Sequence, residues 1–402
     1  MGKWSSLLIS NFLGVFNDNF LKNAVIFIAV GWSLPLWLTQ SQLISIVSAS
    51  LVVPYLVLSP LGGKLAMKYS KLKVFHFFKL LEFPIMLLAC IAFVFQLTLL
   101  AVLAVFLMGI QSCLYSPAKY GLIRDIGGLK GSAFGSGMFE TMAFLGILFG
   151  TMCASLMSDY DQLWLMLVMF MLLAAGGYFF ARKIQANELP LDADATLKIH
   201  LSPFKFIFAS YIFARKLPLV NAAVFGVSVF WLIGALLQMN IIIHAKNYYQ
   251  ASNTATGIVM AFAAIGIALG TWMTGALASK IKRNKMLFGG LIGMTVCLLM
   301  IVFFKIDYQV FLVLVFLIAC FGGFFQVPNL TTIQQADAGR KLGQLLAYMN
   351  LMIFIFVLIA SLLFSVTTLI TNDNSFVVFG LIAAICVLTI LVYRHVIKPQ
   401  KN

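Results

Sequence analysis

The chain has 402 residues, of which 62% are hydrophobic and only 10% charged, and its mean hydropathy is +1.03. Soluble domains run at roughly 45–50% apolar and about 25% charged, so this composition excludes a water-covered globule and points to a polytopic membrane protein. The formal net charge of +15 comes from 27 Lys and Arg held almost entirely in short segments between apolar runs. With no basic stripe or aromatic platform among them, nucleic acid is excluded as a partner, membrane lipids take its place, and the charges read as topogenic.

A hydrocarbon core of about 30 Å takes roughly 20 apolar residues per helix. Runs of that kind fall at 5–32, 41–62, 74–96, 98–121, 131–157, 162–181, 217–244, 254–278, 286–304, 308–333, 343–370 and 375–394, which predicts an all-α protein with twelve transmembrane helices. Long unbroken runs without two-residue alternation exclude barrel strands. The first run lacks a small-residue cleavage site and is expected to be a span rather than a removed signal. Of the Lys and Arg, Lys246 and Lys305 fall on one face, Lys22 falls inside the first span, and the rest share the opposite face. The poorly basic loops carry Asp159, Asp161, Asp307 and Asp373 instead. By the positive-inside rule, both termini are expected in the cytoplasm. The stretch 184–216 holds Pro190, Pro203, the acidic run Asp192-Ala193-Asp194 and the aromatic-basic Phe204-Lys205-Phe206. It predicts a cytoplasmic linker, ending in a helix at the membrane surface, between six-helix bundles over 1–183 and 217–402.

The second half repeats the first at an offset of about 212. Gly63-Lys64-Leu65-Ala66-Met67-Lys68 follows the second run, and Gly275-Ala276-Leu277-Ala278-Ser279-Lys280 follows the eighth. Pro117, near the end of the fourth run, has Pro328 at the equivalent place in the tenth. Two parallel six-helix halves joined by a cytoplasmic linker form the architecture of major facilitator transporters. The G-x-L-A-x-K pieces resemble that superfamily's signature loop, with Met67 and Ser279 where its acidic residue stands.

An ionised group at mid-bilayer costs roughly 2.5–3.5 kcal/mol on insertion scales, so each one inside a span is a candidate for function. Asn11, Asp18 and Lys22 share a stripe of the first span; Asp18 and Lys22 either pair at i,i+4 or face a common cavity. Asn17 and Asn19 flank Asp18 and favour the cavity. Glu82 lies one turn from Lys79 near the cytoplasmic end of the third span, where a local ion pair accounts for it. Lys119 follows Pro117 in the setting Tyr115, Ser116 and Tyr120, and Glu140 stands one turn beyond Ser136 in the fifth span. The repeat offset sets Phe230 opposite Asp18, Gly234 opposite Lys22, Leu330 opposite Lys119 and Met352 opposite Glu140. The charges are therefore features of the first half. The second half offers the neutral Asn221, Gln238, Asn240, Gln326, Asn329 and Asn350. A substrate with a charged head and an apolar remainder suits such an asymmetric lining.

Three segments carry a family resemblance: Phe16-Asn17-Asp18-Asn19, Tyr115-Ser116-Pro117-Ala118-Lys119-Tyr120-Gly121-Leu122, and Gly137-Met138-Phe139-Glu140-Thr141. In this order and spacing the chain resembles the bacterial lysophospholipid transporter (LplT-type) family of the major facilitator superfamily. The resemblance implies a transporter that flips lysophospholipids, chiefly lysophosphatidylethanolamine, from the outer to the inner leaflet of the bacterial inner membrane by alternating access. A cytoplasmic acyltransferase and acyl-carrier-protein synthetase then reacylates them. It further implies Asp18 and Asn19 as the first-helix acidic site, Lys119 as the fourth-span lysine and Glu140 as the fifth-span glutamate, with Lys22, Tyr115 and Tyr120 beside them. Gln238 stands where the family tends to carry a basic residue, and Ser136 where it carries Asn. A zwitterionic phosphoethanolamine head wants a cation for its phosphate and a carboxylate for its amine, which Lys119 and Asp18 or Glu140 supply. The transporter is expected to act as a monomer without a cofactor.

The residues alone leave a second transport reading open: a proton- or sodium-coupled carrier of a small polar solute, with Asp18 as the ion site. An enzyme is not expected. None of His76, His200, His244 and His395 is followed five residues on by Asp, and no phosphate loop, G-x-S-x-G elbow or H-E-x-x-H is present. The six cysteines lie inside apolar runs without metal-ligand spacing, so neither a disulfide framework nor a zinc site is expected.

Overall fold

The structure is a computed structural model that describes residues 2–32, 34–35, 38–159, 163–190 and 199–397. Asp161, the run Asp192-Ala193-Asp194, Lys198, Lys398 and Lys401 lie outside the described residues. Backbone groups in hydrocarbon have no water to bond and must satisfy one another; among the described residues the regular structure is helical, with no strand. In chain order the helices are α1 (Ser5–Ile28), α2 (Gln40–Lys68), α3 (Lys71–Val94), α4 (Thr98–Asp159), α5 (Leu163–Arg182), α6 (Pro203–Arg215), α7 (Val220–Asn247), α8 (Asn253–Leu277), α9 (Arg283–Phe303), α10 (Tyr308–Gln335), α11 (Leu342–Thr371) and α12 (Ser375–Val396). Polar side chains begin several of them: Thr39 and Gln42 form a capping box on α2, and Ser70, Ser252, Asp307 and Asn374 cap α3, α8, α10 and α12.

Among the described residues, ten helices are long and apolar enough to cross a membrane, α4 counting as one. Gly128, at φ +62° and ψ −169°, breaks α4 into segments 98–127 and 129–159, which match the fourth and fifth expected spans. The twelfth partner is α1, 24 residues long but polar through Asn11, Asn17, Asp18, Asn19, Lys22 and Asn23. Every expected run thus coincides with a helix. The ends differ: α1 gives way to a 3-10 turn at Ala29–Gly31, and α2 continues to Lys68. The signature stretch Gly63–Lys68 therefore forms the last turns of α2, just before the Ser70 cap of α3.

The chain divides into two compact units. Unit one comprises Met1–Gly128, Leu145–Ser210 and Ala338–Leu351; unit two comprises Leu129–Phe144, Tyr211–Asp337 and Met352–Asn402. The opening turns of the second α4 segment thus belong to unit two, and those of α11 to unit one. In unit one the core gathers Phe20, Ala24, Met86, Phe93, Met108 and Phe170; in unit two it gathers Leu236, Leu291, Ile318, Phe325, Phe379 and Ile382. Lipid tails are as apolar as these side chains, so close packing and interhelical hydrogen bonds hold the helices together. The contact between α8 and α10 is backbone on backbone: a Cβ on Gly323 would lie 2.5 Å from the Gly270 carbonyl carbon.

Candidate functional site

Two polar faces run side by side along α1. The first, Ser10, Gly14 and Asn17, recurs at i, i+4 and i+7 and is buried against α3 and α5. The Ser10 hydroxyl donates to the Gly177 carbonyl at 2.8 Å, and the Asn17 amide donates to Glu82 Oε1 at 2.7 Å. The other Glu82 oxygen takes Lys79 Nζ at 2.7 Å, and both side chains of that pair are only 1% exposed. Glycine makes the room: a Cβ on Gly14 would come within 2.5 Å of Lys79 Nζ, and one on Gly177 within 3.1 Å.

The second face bears Asp18 and Lys22, both half-buried. The i,i+4 pairing of these two is not among the salt bridges of the described residues, which are Lys71–Asp125 and Lys79–Glu82. Asp18 Oδ2 instead accepts from the Ser112 hydroxyl of α4 at 2.8 Å, and Lys22 Nζ donates to Asn19 Oδ1 at 3.4 Å. One and two turns along α4 from Ser112 stand Ser116 and half-buried Tyr120, and Ser116 accepts from the Asn350 amide at 2.8 Å. Tyr115 is buried, stacked on Phe78 at 6.3 Å and tilted against Phe75 at 5.4 Å. Half-buried Lys119 holds its ammonium 5.2 Å from the Tyr115 ring centre. The charges acting on Asp18 are Glu82, Lys79 and Lys119. Unit one therefore gathers Asp18, Tyr115 and Lys119 into one neighbourhood, a carboxylate and an ammonium set in aromatic surroundings.

Glu140 and Gln238 belong to unit two. Glu140 is buried and accepts from the Gln326 amide at 2.9 Å. One turn along, Phe144 stacks on Trp231 at 6.0 Å and meets Phe230 edge-on at 6.3 Å. One turn back, the Ser136 hydroxyl is buried without a hydrogen-bond partner among the described residues, as is Gln326 Oε1. Gln238 is exposed. Sequence reasoning missed Ser112 as the partner of Asp18 and did not foresee that Lys79 and Glu82 are fully enclosed. The signal for the second was the small-residue spacing of Ser10 and Gly14 ahead of Asn17, which marks a face of α1 that another element approaches closely.

The superfamily signature loop lacks its acid, and the structure shows what stands in its place. Arg340 donates to the carbonyls of Met67 at 2.9 Å, Leu189 and Pro190 at 3.0 Å, and Tyr69 at 3.2 Å. All four bonds are to main-chain oxygens, so the clamp does not use the side chain at 67.

The chain matches the family model described as Major Facilitator Superfamily over residues 7–361 and 224–402. It is 26% identical over 358 residues to the lysophospholipid transporter LplT of Photorhabdus laumondii, covering 86% of this chain and 83% of that one. Against LplT of Escherichia fergusonii the identity is also 26%, over 361 residues, 86% of this chain and 84% of the relative. Among solved structures it resembles the E. coli fucose:proton symporter FucP, with TM-score 0.72 and 14% identity over 96% of this chain and 97% of the other. A bacterial homologue of the iron transporter ferroportin, in an outward-facing state with soaked iron, gives TM-score 0.69 at 17% identity, over 99% and 100% of the two chains. These likenesses show a shared transporter fold, and the match to the family model, running over most of the length, shows that the chain belongs to the Major Facilitator Superfamily.

Proposed function

We propose that this multi-pass membrane protein transports lysophospholipids, moving them from the outer to the inner leaflet of a bacterial inner membrane. The observation that carries the reading is that Asp18 and Lys119, both half-buried, share one neighbourhood of unit one, in a chain similar to transporters named for lysophospholipids. A lone charge in hydrocarbon is costly, and charges kept there are kept for a partner. Lys119 answers a phosphate, and Asp18, held from one side by Ser112, answers an ammonium. A single acyl chain needs only apolar surface, which these helices supply in excess. In this reading the halves 1–183 and 217–402 alternate access around the linker 184–216, with both termini in the cytoplasm, where a reacylating enzyme consumes the product. No catalytic step belongs to the chain itself.

The test uses purified protein in liposomes with labelled lysophosphatidylethanolamine, following loss of the label's accessibility to an external quencher without any ion gradient. Wild type is expected to flip the lipid, and Asp18→Asn and Lys119→Ala each to slow it about tenfold or more, the worth of one charge-assisted hydrogen bond. No flipping with or without a proton or sodium gradient would overturn the reading and leave a coupled carrier of a small polar solute in its place.

A further inference from the structure

The buried face of α1 meets an enclosed ion pair of α3, Lys79 and Glu82. Shifted by the repeat offset, Asn17, Lys79 and Glu82 correspond to Val229, Leu291 and Met294, and all six are buried. The register is firm at these places: α3 buries Val74, Phe75, Phe78, Lys79, Glu82, Ile85, Met86 and Ala89, and α9 buries Met286, Leu287, Gly290, Leu291, Met294, Cys297, Leu298 and Ile301, residue for residue at the same offset. One unit thus fills the three positions with apolar side chains, while the other fills them with an ion pair and an amide. Replacing a buried ion pair by well-packed hydrophobic residues is often neutral or stabilising. A scaffold role therefore does not explain why unit one retains Lys79 and Glu82.

We propose that the Lys79–Glu82–Asn17 cluster is a positioning site for Asp18, fixing the charge and the reach of that carboxylate on the neighbouring face of α1. Asn17 is the next residue in the chain and is tied to Glu82 through its amide, so the ion pair grips α1 beside Asp18. Its remaining carboxamide oxygen, Oδ1, is buried without a hydrogen-bond partner among the described residues. The groups acting on Asp18 come from the packed elements: Tyr55 of α2, Lys79 and Glu82 of α3, and Tyr115, Lys119 and the Ser112 hydroxyl of α4, while Lys22, one turn along α1, donates to Asn19. Against α5, the Asn17 amide reaches the Phe170 carbonyl at 3.4 Å. Lys79 and Glu82 are the fully enclosed pair in this set, and Gly14 and Gly177 leave room for the Lys79 ammonium. The proposal rests on the reading of Asp18 as a head-group contact.

The experiment transplants the residues of unit two into unit one, as the triple variant Asn17→Val, Lys79→Leu, Glu82→Met in the full chain. Three measurements accompany it: thermal unfolding in detergent, lysophosphatidylethanolamine flipping in liposomes, and labelling of Asp18 by dicyclohexylcarbodiimide across pH, read by mass spectrometry. This reagent attacks protonated carboxyl groups in apolar sites, so the pH of half-labelling reports the charge of Asp18 whether or not a lipid is carried. Expected are an unfolding midpoint no lower than wild type, a half-labelling pH measurably displaced from that of wild type, and a fall in flipping. A folded triple variant that labels and flips as wild type overturns the proposal, as does a wild type whose Asp18 never labels. If the triple variant does not fold, Asn17→Val alone keeps the ion pair and cuts its tie to α1; an unchanged labelling profile there overturns the proposal equally. Failure of wild type to flip any lysolipid would sink the transport reading, while the labelling still decides the positioning role.

Discussion

The two units solve the same packing problem with different chemistry. At the position of Asp18, unit two has Phe230, which packs edge-on against Phe144 and Trp231. At the position of Gly14, which makes way for an ammonium, it has Gly226, which makes way for the Tyr393 hydroxyl bonded to Asn329 at 2.7 Å. Other polar groups buried in unit two are neutral and answer one another: His244 Nδ1 lies 2.8 Å from the Ser375 hydroxyl, and the Asn240 amide donates to the Ser375 carbonyl. Glu140 is its buried carboxylate, held by Gln326. The difference teaches that the repeated scaffold fixes where small and large side chains go, whereas the enclosed Lys79–Glu82 ion pair was placed on one copy of it. Scaffold needs come twice in such a chain, and what comes once belongs to function.

Breaking the ion pair from one side tests that contrast most severely. Lys79→Met leaves the Glu82 carboxylate enclosed and uncompensated, and a loss of about 3–5 kcal/mol is expected. The double replacement Lys79→Leu, Glu82→Met should recover most of it. The mirror change, Leu291→Lys in unit two, buries a lone ammonium and should be at least as damaging, with Met294→Glu restoring part of the stability. Thermal unfolding of the five proteins side by side checks the set. If Lys79→Met proves harmless, the pair is not enclosed as described and the contrast between the units fails.

A smaller effect should separate the glycines of α1 and α7. Gly14→Ala drives a methyl group against Lys79 Nζ, which its salt bridge holds in place, so overpacking of about 1–3 kcal/mol is expected. Gly234, the partner of Lys22 in the repeat, has nothing within 4 Å of a built Cβ, and Gly234→Ala should be neutral or slightly stabilising. Unfolding midpoints that fall equally for the two variants would show that helix propensity rather than the cradle sets the cost.

The sequence made the helices legible because hydrocarbon leaves the backbone a single economical choice, and a run of about 20 apolar residues reports it directly. It could not report that Asp18 bonds Ser112 in preference to Lys22, since a lysine four residues on and a serine on another helix are equally good partners on paper. Glu140 with Gln326 was equally hidden, because its two members lie 186 residues apart, in different halves of the sequence. Lys79 and Glu82 were legible as a pair by their i,i+3 spacing but not as an enclosed one, because burial depends on Gly177, about 100 residues away in the chain.

The clamp on the signature loop supplies the mildest contrast. In unit one the turn between α2 and α3 is stapled twice: Glu188 accepts from the Ser70 hydroxyl and from the backbone N–H groups of Lys71 and Leu72, and Arg340 binds the carbonyls on either side. In unit two the corresponding turn precedes Arg283, whose guanidinium reaches the Thr332 hydroxyl at 3.0 Å and the Asn284 side-chain oxygen at 3.4 Å. Arg340→Ala should therefore raise amide hydrogen exchange at the end of α2 and the start of α3 severalfold while leaving the turn before α9 unchanged. Arg340→Lys should recover only part of the protection, since an ammonium cannot reproduce a planar fork spread over four oxygens. Met67→Leu should leave exchange as it is, because the bond is to the carbonyl. A loosened loop in Met67→Leu would mean that the side chain, rather than the main chain, has replaced the missing acid.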